Sequence, residues 1–182
     1  LVFGPFIPVY GLGAVAITLL LSRMYSQKDI MIFLASMFIG GGFEYLCSFV
    51  QQAVFGTVSW EYSDSPLNIG GRTNLMFSFF WGILGMLWVK DLYPAMSRII
   101  QKIPKRVGRP LTVIFTVLMV IDVLLSAGAV YRRSERVNHV PATNAVQEFF
   151  DTYFPDSYLD FIFPHMQYVG KPELPVSPPQ EQ

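Results

Sequence analysis

The sequence predicts an all-α protein, a polytopic transmembrane helix bundle with a short helical tail. Hydrophobic residues make up 52% of the 182 and charged residues only 14%, against about 25% charged in an average soluble domain. The charges are bunched between long apolar runs. A bilayer imposes that pattern, because about 20 consecutive apolar residues cross its hydrocarbon core.

Taken in order, residues 1–22 hold no charge, and Pro5, Pro8, Gly11 and Gly13 crowd their first half. Pro inside a helix removes a hydrogen bond and clashes with the preceding turn. The first span is therefore expected to begin at Pro8, with Pro in its first turn, and to run to Arg23. Gly4-Pro5 is left as a loop at the membrane edge, where irregular backbone needs protein or water around it. The chain opens inside this apolar stretch with neither a Met nor a basic leader, so residues upstream of Leu1 are expected.

Asp29 is placed to cap the second span, residues 30–54, whose one charge is Glu44. A polar connector over 60–72 follows. Residues 73–89 form the third span, closed by Lys90 and Asp91 and broken or kinked at Tyr93-Pro94. Residues 95–103 suit a short interfacial helix, with Met96, Ile99, Ile100 and Ile103 on one face. After the basic turn of Lys105, Arg106 and Arg109, residues 110–131 form the fourth span, charged only at Asp122.

Composition changes at Arg132-Arg133. The domain reading is a transmembrane bundle over 1–131 with a structured loop at 55–73, a short amphipathic helical tail over 132–171, and a disordered Pro-rich end at 172–182. Within the tail, 144–154 reads as a helix capped by Thr143 or Asn144, and 157–163 as a second helix between Pro155 and Pro164. The cations Lys90, Arg98, Lys102, Lys105, Arg106 and Arg109, with Arg23 and Lys28, outweigh Arg132, Arg133 and Arg136 at the other end. Basic residues favour the cytoplasmic side, so the connector and the tail are expected outside.

The formal net charge is zero, which gives no reason to expect a nucleic-acid partner. Cys47 is the single cysteine and cannot make an intrachain disulfide. His139 and His165 lie far apart with no Cys or carboxylate at ligand spacing, so no metal is assigned. No GxxxxGK[ST] motif occurs, so ATP is not bound through a P-loop. Neither GxSxG nor HExxH occurs, no catalytic residue is assigned, and no cofactor is expected.

Glu44 is the sharpest single residue. An acid within a span is costly and normally faces the bundle or a water-filled cavity. Ser48 and Gln51 follow at i+4 and i+7 on the same face, and Gly40, Gly41 and Gly42 allow close backbone approach before it. The carboxyl either handles a proton, cation or substrate, or holds the bundle through hydrogen bonds. Asp122 lies on a stripe with Thr112, Thr116, Met119 and Ser126, and its reading is divided between a polar pathway and packing. Asn74, Ser78, Gly82 and Gly85 form a stripe that reads as a helix–helix seam. Trp60, Trp81 and Trp88 suit an interfacial belt. In the connector, Glu61, Asp64, Asn68 and Arg72 are dense, and Pro66 and Gly70-Gly71 set its path. Asp64 and Arg72 can pair there, and an Arg at the start of a span can hold a phosphate or carboxylate bidentately. The alternative is a simple headgroup-level turn in which Trp60 and Tyr62 only anchor the chain.

Trp60-Glu61-Tyr62-Ser63-Asp64, Pro66, Asn68, Gly71-Arg72, Ser78, Trp81-Gly82 and Leu84-Gly85 together resemble a known family. It is the bacterial CmpB-like, type IV ABC transporter permease group. Gly4-Pro5, Pro8, Tyr10-Gly11 and Gly13-Ala14 are similar to its earlier motif, and Glu44-Tyr45 and Phe55-Gly56 to the helix before its loop. Phe154-Pro155-Asp156 and Pro164 also fit. The chain departs from the pattern at Glu61, where the family has Asp, at Gly70, where it has Asn, and at Gln52, where it has a second acid. The last change is expected to leave Glu44 without a same-face carboxylate. The resemblance implies an apolar helix before Gly4-Pro5, hence five spans in place of the four visible. It also implies transport of a small solute or lipid across the bacterial plasma membrane, with a separate nucleotide-binding subunit where ATP drives it, and self-association. Glu44, Ser48, Gln51 and Asp122 would lie inside, with Asp64, Asn68 and Arg72 at the mouth and Trp60, Glu61 and Tyr62 beside them. Two other readings stand beside it: an accessory subunit holding a membrane partner, and an embedded enzyme acting on a lipid or phosphate headgroup.

Overall fold

The structure is a computed structural model that describes residues 1–4 and 6–170. Pro5 and the Pro-rich end expected to be disordered lie outside the described residues. Helix α1, Pro8–Leu21, starts with Pro8 at its first position, where the missing N–H breaks no bond. It passes into a single 3-10 turn, Ser22–Met24. At about 1.5 Å per residue, α1 is shorter than the roughly 30 Å hydrocarbon core. Three helical stretches are long and apolar enough to cross a membrane: Asp29–Phe55, Leu75–Ile100 and Lys105–Val137. The expected count of four or five spans is not confirmed among the described residues, because the first apolar run, Pro8–Met24 with its 3-10 turn, is shorter than the other three.

Helix α2 covers Asp29–Phe55. Asp29 is its first helical residue and makes no capping hydrogen bond; its carboxylate pairs with Lys90 Nζ at 3.0 Å. The expected cap is thus replaced by a tether between two spans. Helix α3, Leu75–Leu87, is capped by Asn74, whose Oδ1 accepts from the Phe77 N–H at 2.8 Å. A π-helical turn, Trp88–Leu92, leads directly into α4, Tyr93–Ile100. Tyr93-Pro94 therefore does not break the span, and no separate interfacial helix forms over 95–103. The wider π turn, in which the Tyr93 N–H bonds to the Trp88 carbonyl, absorbs Pro94 near the start of the next regular segment, where its missing donor is tolerated. Helix α5, Lys105–Val137, carries Pro110 in its interior and extends beyond the expected span at both ends.

Small residues close α2 on α3. A Cβ placed on Gly40 would collide with the Trp81 side chain at its root, and one on Gly85 with Ser36; one on Gly82 would meet Phe33 at 2.6 Å. Of the seam read from Asn74, Ser78, Gly82 and Gly85, the last three meet α2, while Asn74 serves as the cap of α3. Trp81 is 8% exposed and belongs to the core with Ile17, Leu21, Ile32 and Val89, not to an interfacial belt. Trp88 donates from Nε1 to Thr18 Oγ1 at 2.6 Å and so ties the third span to α1.

The up-and-down course puts the 56–74 connector and the 138–170 tail at the same end. Strand β1, Thr57–Val58, pairs antiparallel with a tail segment, Gln167–Tyr168. The tail forms α6, Ala145–Tyr153, and α7, Asp156–Ile162. Asn144 caps α6 through the Val146 and Gln147 N–H groups. Leu159 and Phe154 pack with Ala129 and Val2. The Arg132 guanidinium meets Asp151 with two bonds of 2.9 Å and Glu135 with a third. Arg133 pairs with Asp160, and Arg136 with Asp151 and Asp156. By contrast, the first half of α5, residues 105–121, is exposed almost throughout.

Candidate functional site

The connector folds into a cap over the ends of α2 and α3. Strand β2, Asn68–Ile69, pairs with β3, Thr73–Asn74. Gly70 and Gly71 turn the chain between them with φ of +58° and +68°, a region that side chains with a Cβ rarely adopt. A Cβ on Gly71 would also run into Glu61 and Ser63. Asn68 pins the loop: its Nδ2 donates to the Ser63 and Ser65 carbonyls, and its Oδ1 accepts from the Gly71 N–H. Asn68 is thereby occupied within the loop. Glu61 accepts from the Ser63 N–H and hydroxyl, which is likewise a local turn.

Beneath the cap lies Glu44, 7% exposed. Its Oε1 accepts from the Tyr62 hydroxyl at 3.2 Å and its Oε2 from Thr73 Oγ1 at 2.9 Å. No cation among the described residues lies within ion-pair distance of it. Tyr62 stacks on Phe77 with ring centroids 4.6 Å apart. Burial, and then the charge of Glu44, push the Tyr62 phenol above its ordinary range, so it stays protonated as a donor to the carboxylate.

Arg72 does not reach Asp64. It turns onto α2, donating from Nη1 to Ser48 Oγ at 3.3 Å and from Nη2 to Gln52 Oε1. Its guanidinium lies over Phe49 and Tyr45, 5.5 and 5.9 Å from their centroids. The expected Asp64–Arg72 pair is absent because the β2–β3 turn sends Arg72 across α2. Asp64 is exposed and makes no side-chain hydrogen bond or ion pair among the described residues. Trp60 supports the same turn, donating from Nε1 to the Arg72 carbonyl at 2.9 Å.

Gln51 leaves the group expected with Glu44 and Ser48. Its Nε2 donates to Thr57 Oγ1 and Ser59 Oγ, and Ser59 donates back to its Oε1. It fixes the exit of α2. Gln52, read only as a lost partner for Glu44, is in fact the partner of Arg72, to which it offers a neutral oxygen. Asp122 is held apart from this cluster. Its Oδ1 accepts from the Phe3 N–H at 3.1 Å, while Ser126 Oγ accepts from the Val2 N–H at 2.8 Å. Asp122 and Ser126 fasten the segment that precedes α1, and Thr112 and Thr116 are exposed. Thr73 and Gln52 were missed as site residues. Neither carries a signal of its own; each acquires its role when the loop folds back over α2.

Residues 1–127 match the model of a protein family described as "Putative ABC-transporter type IV". The chain belongs to that family. No curated protein and no solved structure matches it. The match of this type IV ABC-transporter family protein takes in Glu44, the cap, Arg72 and Asp122, and stops before the tail. Family and apolar helices together make it a membrane protein.

Proposed function

We propose that this chain is a permease-type, multi-pass subunit of a transporter in the bacterial plasma membrane. It passes a small solute or lipid by way of the polar site under the cap, and a separate nucleotide-binding subunit supplies ATP where ATP drives the movement. The observation that supports this is Glu44, a carboxylate within a span held by two hydroxyls and, among the described residues, by no cation. A purely architectural group there would cost less as an amide, since a charged acid at the centre of a span costs about 2.5–3.5 kcal/mol on insertion scales. A carboxylate without a fixed counter-charge is free to take up a proton or a cation. Arg72, one to two turns further along α2, places a positive charge at the mouth.

Glu44→Gln tests this. The amide keeps the shape and still meets two rotatable hydroxyls, so the thermal unfolding midpoint in detergent is expected to hold. Flux is measured for a solute whose accumulation differs between cells with and without the protein. It is expected to fall at least tenfold, and flux equal to wild type would remove Glu44 from the pathway.

A second reading, an accessory subunit, is favoured by the close α2–α3 seam and by the exposed first half of α5. Both features leave a passage to be built between chains. Stoichiometric co-purification with another membrane protein, whose transport is indifferent to Glu44→Gln, would select that reading.

A further inference from the structure

We propose that Arg72 binds a phosphate group, presented at the bilayer surface by an anionic phospholipid. The site stands whether or not Glu44 conducts anything. A guanidinium has five N–H donors and no acceptor. Two are engaged here, both with neutral oxygens, Ser48 Oγ and Gln52 Oε1. None of the ion pairs among the described residues includes Arg72. A half-buried cation with free donors and a fixed plane is arranged for an oxyanion from outside, and planar bidentate recognition of phosphate is what Arg does best.

The surroundings point to a lipid. The rings that carry the guanidinium, Tyr45 and Phe49, are themselves 37% and 43% exposed. Beside them is the tip of the β2–β3 turn, for a Cβ on Gly70 would lie 3.8 Å from the Tyr45 ring. Next to that tip Ile69 is 63% exposed, and at the open end of the same hairpin, where the Leu75 N–H bonds to its carbonyl, Leu67 is 71% exposed with a φ of +53°. A left-handed conformation is strained for a bulky residue. Strain that turns an aliphatic side chain outward is reasonable where the medium is the acyl boundary and not water. Arg72 therefore sits near the end of a span, facing out, with aromatic and aliphatic side chains on the membrane side. A phosphodiester headgroup can sit on the free N–H groups while its chains run along Phe49 and the loop tip.

Native mass spectrometry of the full chain in detergent, doped with phosphatidylglycerol, phosphatidylcholine or inorganic phosphate, tests this. Wild type is expected to retain one phosphatidylglycerol in preference to phosphatidylcholine. Arg72→Gln is expected to lower that retention at least tenfold. Gln52→Glu guards against a mere folding defect: it keeps Arg72, sets a carboxylate against Nη2, and is expected to lose the lipid equally while the unfolding midpoint holds or rises. Displacement of the lipid by inorganic phosphate would keep the site on Arg72 and assign it to the soluble anion. Retention equal to wild type in both variants would overturn the proposal. So would an equal loss in Arg98→Gln at the opposite end, which would mean diffuse charge attraction.

Discussion

Gly40→Val is expected to cost about 3 kcal/mol or more and to leave little folded protein after extraction in detergent. Overpacking a well-filled core typically costs about 1–3 kcal/mol. Here the new atoms meet the root of the Trp81 side chain, which cannot rotate away, so α2 and α3 must separate. Trp81 also fills the space against Gly13 of α1, and the displacement would spread to all three helices. The neighbouring glycine supplies the control. A Cβ on Gly42 meets nothing within 4 Å, so Gly42→Ala is expected to be neutral or to stabilise by about 0.5–1 kcal/mol through helix propensity alone. Denaturant or thermal unfolding of the two variants in the same detergent measures both. Equal effects at positions 40 and 42 would mean that the seam is not where the bundle is held.

Arg132→Ala is expected to release the tail from α5. Arg132 is 3% exposed and holds Asp151 and Glu135 at once. Removing one member of a buried ion pair costs about 3–5 kcal/mol because the other charge is left unpaired. Asp151 and Glu135 keep 31% and 20% exposure, so a loss of about 3 kcal/mol is expected, the low end of that range. Hydrogen exchange in α6 reads it directly: the amides of Ala145–Tyr153 should lose protection while those of α2 and α3 keep theirs. Arg132→Lys keeps the charge without the two-bond geometry and should fall between. Docking should also depend on pH. The hydrogen bonds from Arg132, with those from Arg136, hold the Asp151 carboxyl below its usual range against the opposing effect of burial. A group whose folded value is depressed stabilises fully above its unfolded value, about 3.9 for Asp, and the contribution is lost as pH falls through the lower folded value. Tail protection is therefore expected to be flat from about pH 8 to pH 5 and to decline below about pH 4. A steep change near neutrality would place the coupling on some other group.

The bilayer helices were legible because membrane burial is written in composition. Residues 30–54 could be read as a span around Glu44, and α2 is Asp29–Phe55. Asn144 was readable as a cap because its side chain competes for the first turn's N–H groups. Of the break or kink expected at Tyr93-Pro94, the break does not form, because a local rule about Pro takes no account of a π turn. Arg132 and Arg133 counted in the sequence only as topogenic charge. Their acids lie 19 and 27 residues away, and only folding brings them into register.

The candidate site divides in the same way. The sequence by itself determined the helical class, the unusual acid at Glu44, the small-residue seam and the density of the 60–72 connector, since each is a matter of residue type at short spacing. Tertiary structure alone decided what those residues do to one another. It put Tyr62 and Thr73 on Glu44, Gln52 on Arg72, Gln51 on the loop exit, and Asp122 on the backbone ahead of α1. The reason is physical: a hydroxyl or amide has several possible partners within chain reach, and the backbone path selects among them, as the turn through Gly70 and Gly71 does for Arg72 and Thr73.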